Sequence, residues 1–189
     1  MLTHLKHFKS LYAVLVVLAV VAGVLYLYPP NTIVEYVGVE NSYLTTFLIA
    51  AIGGLSSITS SVFYAAVATF SSGGANPYLL GLIGGIGIAI GDSIVFGLFS
   101  YGIKGIPAGW LSRVERVQTY IDSHPRWTVY VGLFLILGLS PVPNDIVMFA
   151  LVVLGFEYRK IAPILVLAGI SITTITALLG QSLTTFIFG

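Results

Sequence analysis

Asp145 closes the polar hexapeptide Ser140-Pro141-Val142-Pro143-Asn144-Asp145 inside the otherwise uncharged stretch Trp127–Phe156. An acid beside two prolines in such a stretch lines a cavity, binds a cation or carries a proton. The competing role is a cap, because Asp at a helix start accepts orphan amide hydrogens and an apolar arm begins at Ile146; in discontinuous helices cap and site coincide. Asp92 is the second acid of this kind and follows Gly81, Gly85, Gly87 and Gly91. It serves either as a coupling site or as a hydrogen-bond partner of a facing segment. The glycine spacing brings helices close and is not a dinucleotide loop, which needs a strand before it. Arg159 and Lys160 read as cations snorkelling to an interface, with a headgroup contact as the alternative. His4 and His7 are too few for a metal site. No nucleophile–base pair, phosphate loop or zinc motif is visible, so neither an enzyme nor a cofactor is expected.

These residues sit in a chain of 189 residues that is 57% hydrophobic and 8% charged. Soluble proteins carry roughly 25% charge, so a water-facing surface cannot be built from this composition. An ionised group at a bilayer centre costs at least about 2.5–3.5 kcal/mol, and charges therefore punctuate membrane segments. The formal net charge of +1 gives no field to attract nucleic acid. With no cysteine, thiol chemistry says nothing about compartment.

The elements that must position the acids follow from the uncharged stretches. Residues 10–28 form an N-terminal span; their apolar run is longer than a signal-peptide core and ends in Tyr26-Leu27-Tyr28-Pro29-Pro30 without a cleavage site. An acidic loop with Glu35 and Glu40 follows. Residues 78–102 and 161–188 are full spans. Residues 127–156 are broken by Pro141 and Pro143 into two arms too short to cross, which predicts a re-entrant helical hairpin with its tip at membrane depth. Residues 43–72 read the same way, interrupted by Ser56, Ser57, Thr59, Ser60 and Ser61; one long tilted span is the alternative. Residues 106–126 form an amphipathic surface helix, with Trp110, Val114, Val117 and Ile121 on one face. Ser112 and Glu115 have capping-box spacing that would start its regular helix, and Pro125 would end it.

The basic clusters Lys6/Lys9, Lys104–Arg126 and Arg159/Lys160, all placed in the cytoplasm, require both hairpins by parity. The N-terminus is then cytoplasmic and the C-terminus outside, in a multi-pass protein of the cell membrane. Shifting the chain by 84 positions, the step from Leu55 to Leu139, aligns Leu55-Ser56-Ser57-Ile58 with Leu139-Ser140-Pro141-Val142 and Gly85-Ile86 with Gly169-Ile170. Each copy, 43–102 and 127–188, reads as a hairpin followed by a span, entered from opposite sides. The expected fold is a single all-α polytopic membrane domain of two inverted repeats, an arrangement in which broken helices form a substrate site near the midplane.

The hexapeptide Ser140–Asp145 with its apolar arm, and Gly87-x3-Gly91-Asp92-x3-Phe96, resemble motifs of the DedA (VTT, or SNARE-associated) membrane proteins over about residues 43–180. The resemblance implies a lipid translocase or scramblase with two opposed re-entrant hairpins. Many bacterial members carry a glutamate before the first tip and an arginine pair in the second, both lacking here. Phe96 replaces their Tyr, and Phe99-Ser100 replaces a Gly-Arg. A distant branch is implied, nearer to members labelled small-molecule exporters than to undecaprenyl phosphate carriers. The expectation is transport of membrane lipid coupled to protons or cations, with Asp145, Asp92, Asn144, Pro141, Pro143 and Ser140 on the path. A small-solute or drug exporter and a non-transporting scaffold are the alternatives, and a homo-oligomer is left open.

Overall fold

A computed structural model describes residues 30–53, 57–102, 108–140 and 144–188. The expected N-terminal span 10–28, the tip residues Pro141 and Pro143 and the link 54–56 lie outside the described residues. Every element among those described is a helix: α1 (Pro30–Val37), α2 (Val39–Gly53), α3 (Ser57–Ser72), α4 (Pro77–Gly102), α5 (Ala108–Asp122), α6 (Arg126–Leu139), α7 (Asn144–Val153) and α8 (Tyr158–Phe188).

Local chemistry explains the boundaries. Pro30 opens α1 where its missing N–H costs nothing, and Gly38, at φ 85°, turns the chain into α2. The acidic loop expected around Glu35 and Glu40 is thus helical, a correction for which Pro30 and Gly38 were the available signals. Asn76 caps α4: its Oδ1 accepts from the amides of Tyr78 at 2.9 Å and Leu79 at 3.3 Å. Ser140 ends α6 in an extended conformation (φ −119°, ψ 136°), as the proline after it demands. Both α3 and α7 finish in the same six-residue wrap, Ala75 N–H to Phe70 O and Phe156 N–H to Leu151 O, each 3.0 Å. The surface helix starts at Ala108 rather than at the Ser112–Glu115 box, which lies inside α5. It ends at Asp122, shortly before Pro125; Val114 is buried and Val117 exposed.

Two helices have the length and composition of a membrane crossing, Pro77–Gly102 and Tyr158–Leu183, each 26 residues. At 1.5 Å per residue that is about 39 Å, ample for a hydrocarbon core of about 30 Å. The exposed face of α4 is a stripe of Leu79, Leu82, Ile86, Ile90, Ile94 and Leu98. Only 33% of the most apolar window of Tyr158–Leu183 is buried, so this is not the interior helix of a water-soluble core.

The remaining apolar helices come in two pairs. α2 and α3 have 15 and 16 residues, α6 and α7 have 14 and 10, each short of about 20. Within residues 43–72 the described helices α2 and α3 lie on either side of the link 54–56. The amide of Asn76 donates to the Tyr43 hydroxyl at 2.9 Å, which sets the start of α2 beside the chain just past α3. Buried hydroxyls on α2 satisfy themselves locally: Ser42 and Thr46 donate to carbonyls four residues back.

The pairs pack in a crossed pattern. α4 and α8 form the central contact; α2 lies on α4 and α3 on α8, while α6 lies on α8 and α7 on α4. The first arm of each pair thus packs on the long helix that follows it, and the second arm on the other long helix. Glycine makes the central crossing close. A Cβ on Gly85 would stand 2.4 Å from the Ile170 nitrogen, and one on Gly169 would stand 2.8 Å from the Gly85 oxygen. One apolar cluster (Ala50, Phe63, Val67, Leu80, Ile88) lies toward one end of the bundle and another (Val95, Phe96, Leu137, Met148, Leu165) toward the other.

Candidate functional site

Asp92 lies on α4 between Ile88 of the first cluster and Val95 of the second, and is 2% exposed. Gly87, Ala89 and Gly91, close to it along α4, are also buried, and their small size lets other helices come close. From one side Asn144, the first residue of α7, reaches it: Nδ2 donates to Oδ1 at 3.3 Å and Oδ2 at 3.4 Å. From the α3 side Tyr64, half-buried, lies within reach of the carboxylate's charge. The acid sits on the long helix on which one member of each short-helix pair, α2 and α7, packs.

The two hydrogen bonds are long for a charged acceptor, whose usual N–H···O⁻ distance is about 2.7–2.9 Å. A carboxylate removed from water costs several kcal/mol unless it is well paired. Among the described residues no basic side chain faces it; α2, α3, α4 and α7 contain no Lys, Arg or His. While charged, such a carboxylate attracts cations and repels phosphate.

Asp145 takes a different place. It sits in the first turn of α7, where the helix dipole favours a carboxylate, and it is partly exposed and engaged in a further interaction. The structure brings Asn144 to Asp92 and leaves Asp145 beside that contact. Ser140 is the last residue before the break and is partly exposed.

Arg159 and Lys160 are exposed in the first turn of α8. Lys160 pairs with Glu157 at 2.5 Å. That hydrogen bond first, and the lysine charge second, hold the Glu157 carboxyl below its ordinary range. Beside them Tyr158 bonds the Ser93 hydroxyl and stacks on Phe96, with ring centres 5.5 Å apart, so the residue after Asp92 is tied to the start of α8. Sequence reasoning missed Tyr64, Tyr158 and Ser93. Tyr158 at a helix end looks like an interfacial anchor, Tyr64 in mid-helix looks like apolar packing, and nothing in their spacing marks Asp92 or Ser93.

No family model, curated protein or solved structure matches the chain, so its likeness to the DedA proteins rests on the quoted residues alone.

Proposed function

We propose that this chain is a multi-pass membrane transporter of the DedA type, most closely a lipid translocase, in which two re-entrant hairpins enter from opposite leaflets and meet at Asp92. The supporting observation is the juxtaposition at that acid: a buried carboxylate on a span, and the first residue of α7, just past the break after Ser140, donating to it. Two contacts support the hairpins, Asn76 with Tyr43 across the ends of the first pair and the cavity shared by Arg126 and Glu157 at the ends of the second, and the outer faces of α4 and α8 are apolar, as a lipid environment requires.

The crossed packing supports the inverted repeat. Under the 84-residue shift Gly85 corresponds to Gly169, and these two glycines touch each other. Contact between corresponding residues is what a pseudo-two-fold between the halves would produce at the α4/α8 crossing. The same shift takes Asp92 and Asn144 to Thr176 and Ser60. One half thus carries the charged device and the other a neutral hydroxyl version, so proton or cation coupling resides in one half. The N-terminus is cytoplasmic and the C-terminus outside in this reading.

The absence of any basic residue from α2, α3, α4 and α7 favours a second reading, export of a cationic solute. Proteoliposomes separate the two. Wild-type protein moves fluorescent phospholipid between leaflets in response to a proton gradient, and Asp92→Asn abolishes the response. Gradient-driven cation efflux without lipid movement selects the exporter, and absence of both in folded protein defeats transport.

A further inference from the structure

At the base of the α6/α7 pair two cavities join. One, of about 260 Å³, is rimmed by Asp122, His124, Arg126, Glu157 and Lys160. The other, of about 430 Å³, is apolar and runs between α6 and α7 past Gly132, Ile136 and Val147. They share Ile121, His124, Val129, Leu154 and Phe156 as walls, so they form one groove with a charged mouth and an apolar depth. Its larger part falls in the size range of about 300–1,000 Å³ typical of ligand sites.

The groove stays open for identifiable reasons. α6 and α7 scarcely touch, because each packs on a different long helix. Gly132 leaves its middle empty, with no atom of the other described residues within 4 Å of where a Cβ would stand. Gln118 reaches across from α5 to the Leu154 carbonyl and fixes the wall at the mouth.

Charge decides the occupant. The mouth offers Arg126 and Lys160 against Asp122 and Glu157, with Lys160 already bonded to Glu157. A purely anionic headgroup would confront both carboxylates. A headgroup carrying phosphate and a primary ammonium meets both signs: phosphate suits the planar Arg126 guanidinium, and an ammonium with three donors suits carboxylate oxygens. An acyl chain matches the apolar cleft, which in a bilayer faces acyl chains. We propose that this groove binds one zwitterionic aminophospholipid of the phosphoethanolamine class, its headgroup at Arg126, Lys160, Asp122 and Glu157 and one acyl chain between α6 and α7. The site is remote from Asp92 in chemistry. It rests on the membrane placement of the function above and not on transport.

Native mass spectrometry of the full chain in detergent, titrated with phosphatidylethanolamine, phosphatidylglycerol or phosphatidylcholine, tests the site. One phosphatidylethanolamine is expected to be retained about tenfold better than either competitor, and Arg126→Ala to lose about tenfold, as for a lost charge-assisted hydrogen bond. Gly132→Phe, which fills the cleft without touching the charges, is expected to lose as much. Arg126 is exposed, so its truncation spares the fold. Equal retention of phosphatidylglycerol, unchanged retention in Gly132→Phe, or a lipid-free dimer that closes the groove would overturn the proposal. Wild-type protein that retains the lipid but moves none in proteoliposomes supports this site and counts against the transport function, so the two fail separately.

Discussion

A buried acid held by one amide is a poor structural bargain unless its charge state matters. If Asp92 serves only to anchor α7, Asn at 92 keeps a hydrogen-bonding partner for Asn144 and activity survives. If it carries the coupled proton or cation, Asp92→Asn folds as well as wild type but transports without response to a gradient. Asn144→Leu acts in the opposite sense: it keeps the acid and removes its donor, and thermal unfolding in detergent is expected to show a loss of about 1–3 kcal/mol. Thr173 gives a control elsewhere. Its hydroxyl is fully buried and unpartnered among the described residues, so Thr173→Val is expected to leave the melting temperature unchanged or to raise it by the equivalent of about 1 kcal/mol.

Among the elements, the glycines of α4 differ sharply in what they permit. Gly85 faces the α8 backbone, and Gly85→Leu is expected to cost about 1–3 kcal/mol or to prevent assembly. Gly97, with nothing within 4 Å, is free to become Ala and to gain about 0.5–1 kcal/mol from helix entropy; comparing the two melting curves checks the crossing. The break after Ser140 was legible because proline dictates backbone geometry whatever surrounds it. Serines and threonines at 56–61 drew attention, yet α3 begins at Ser57 among them, and the Ser60 hydroxyl donates to the Gly53 carbonyl at the end of α2. Helix α1 was missed for a related reason: Glu35, like Glu40 at the start of α2, resembles a loop residue in a hydrophobic chain, although both are exposed on helices. The site itself was half legible. Charge in an apolar stretch singled out Asp92 and Asp145, but only packing shows which one Asn144 reaches.

At the scale of the whole molecule, the crossed packing of two short pairs on two long helices is what places a polar contact in the interior of an apolar bundle. In the proposed topology both ends of each pair emerge on one side, and the chain without cysteine makes this directly measurable. Single substitutions at the exposed positions Glu40→Cys, Tyr78→Cys, Ser123→Cys and Glu157→Cys bracket the pairs. Labelling of cells with a membrane-impermeant thiol reagent, before and after permeabilisation, is predicted to place Glu40 and Tyr78 together on one face and Ser123 and Glu157 together on the other. Glu40 and Tyr78 labelled from opposite faces, or Ser123 and Glu157 likewise, would mean that a pair runs straight through, and the meeting of two hairpins at Asp92 would be contradicted.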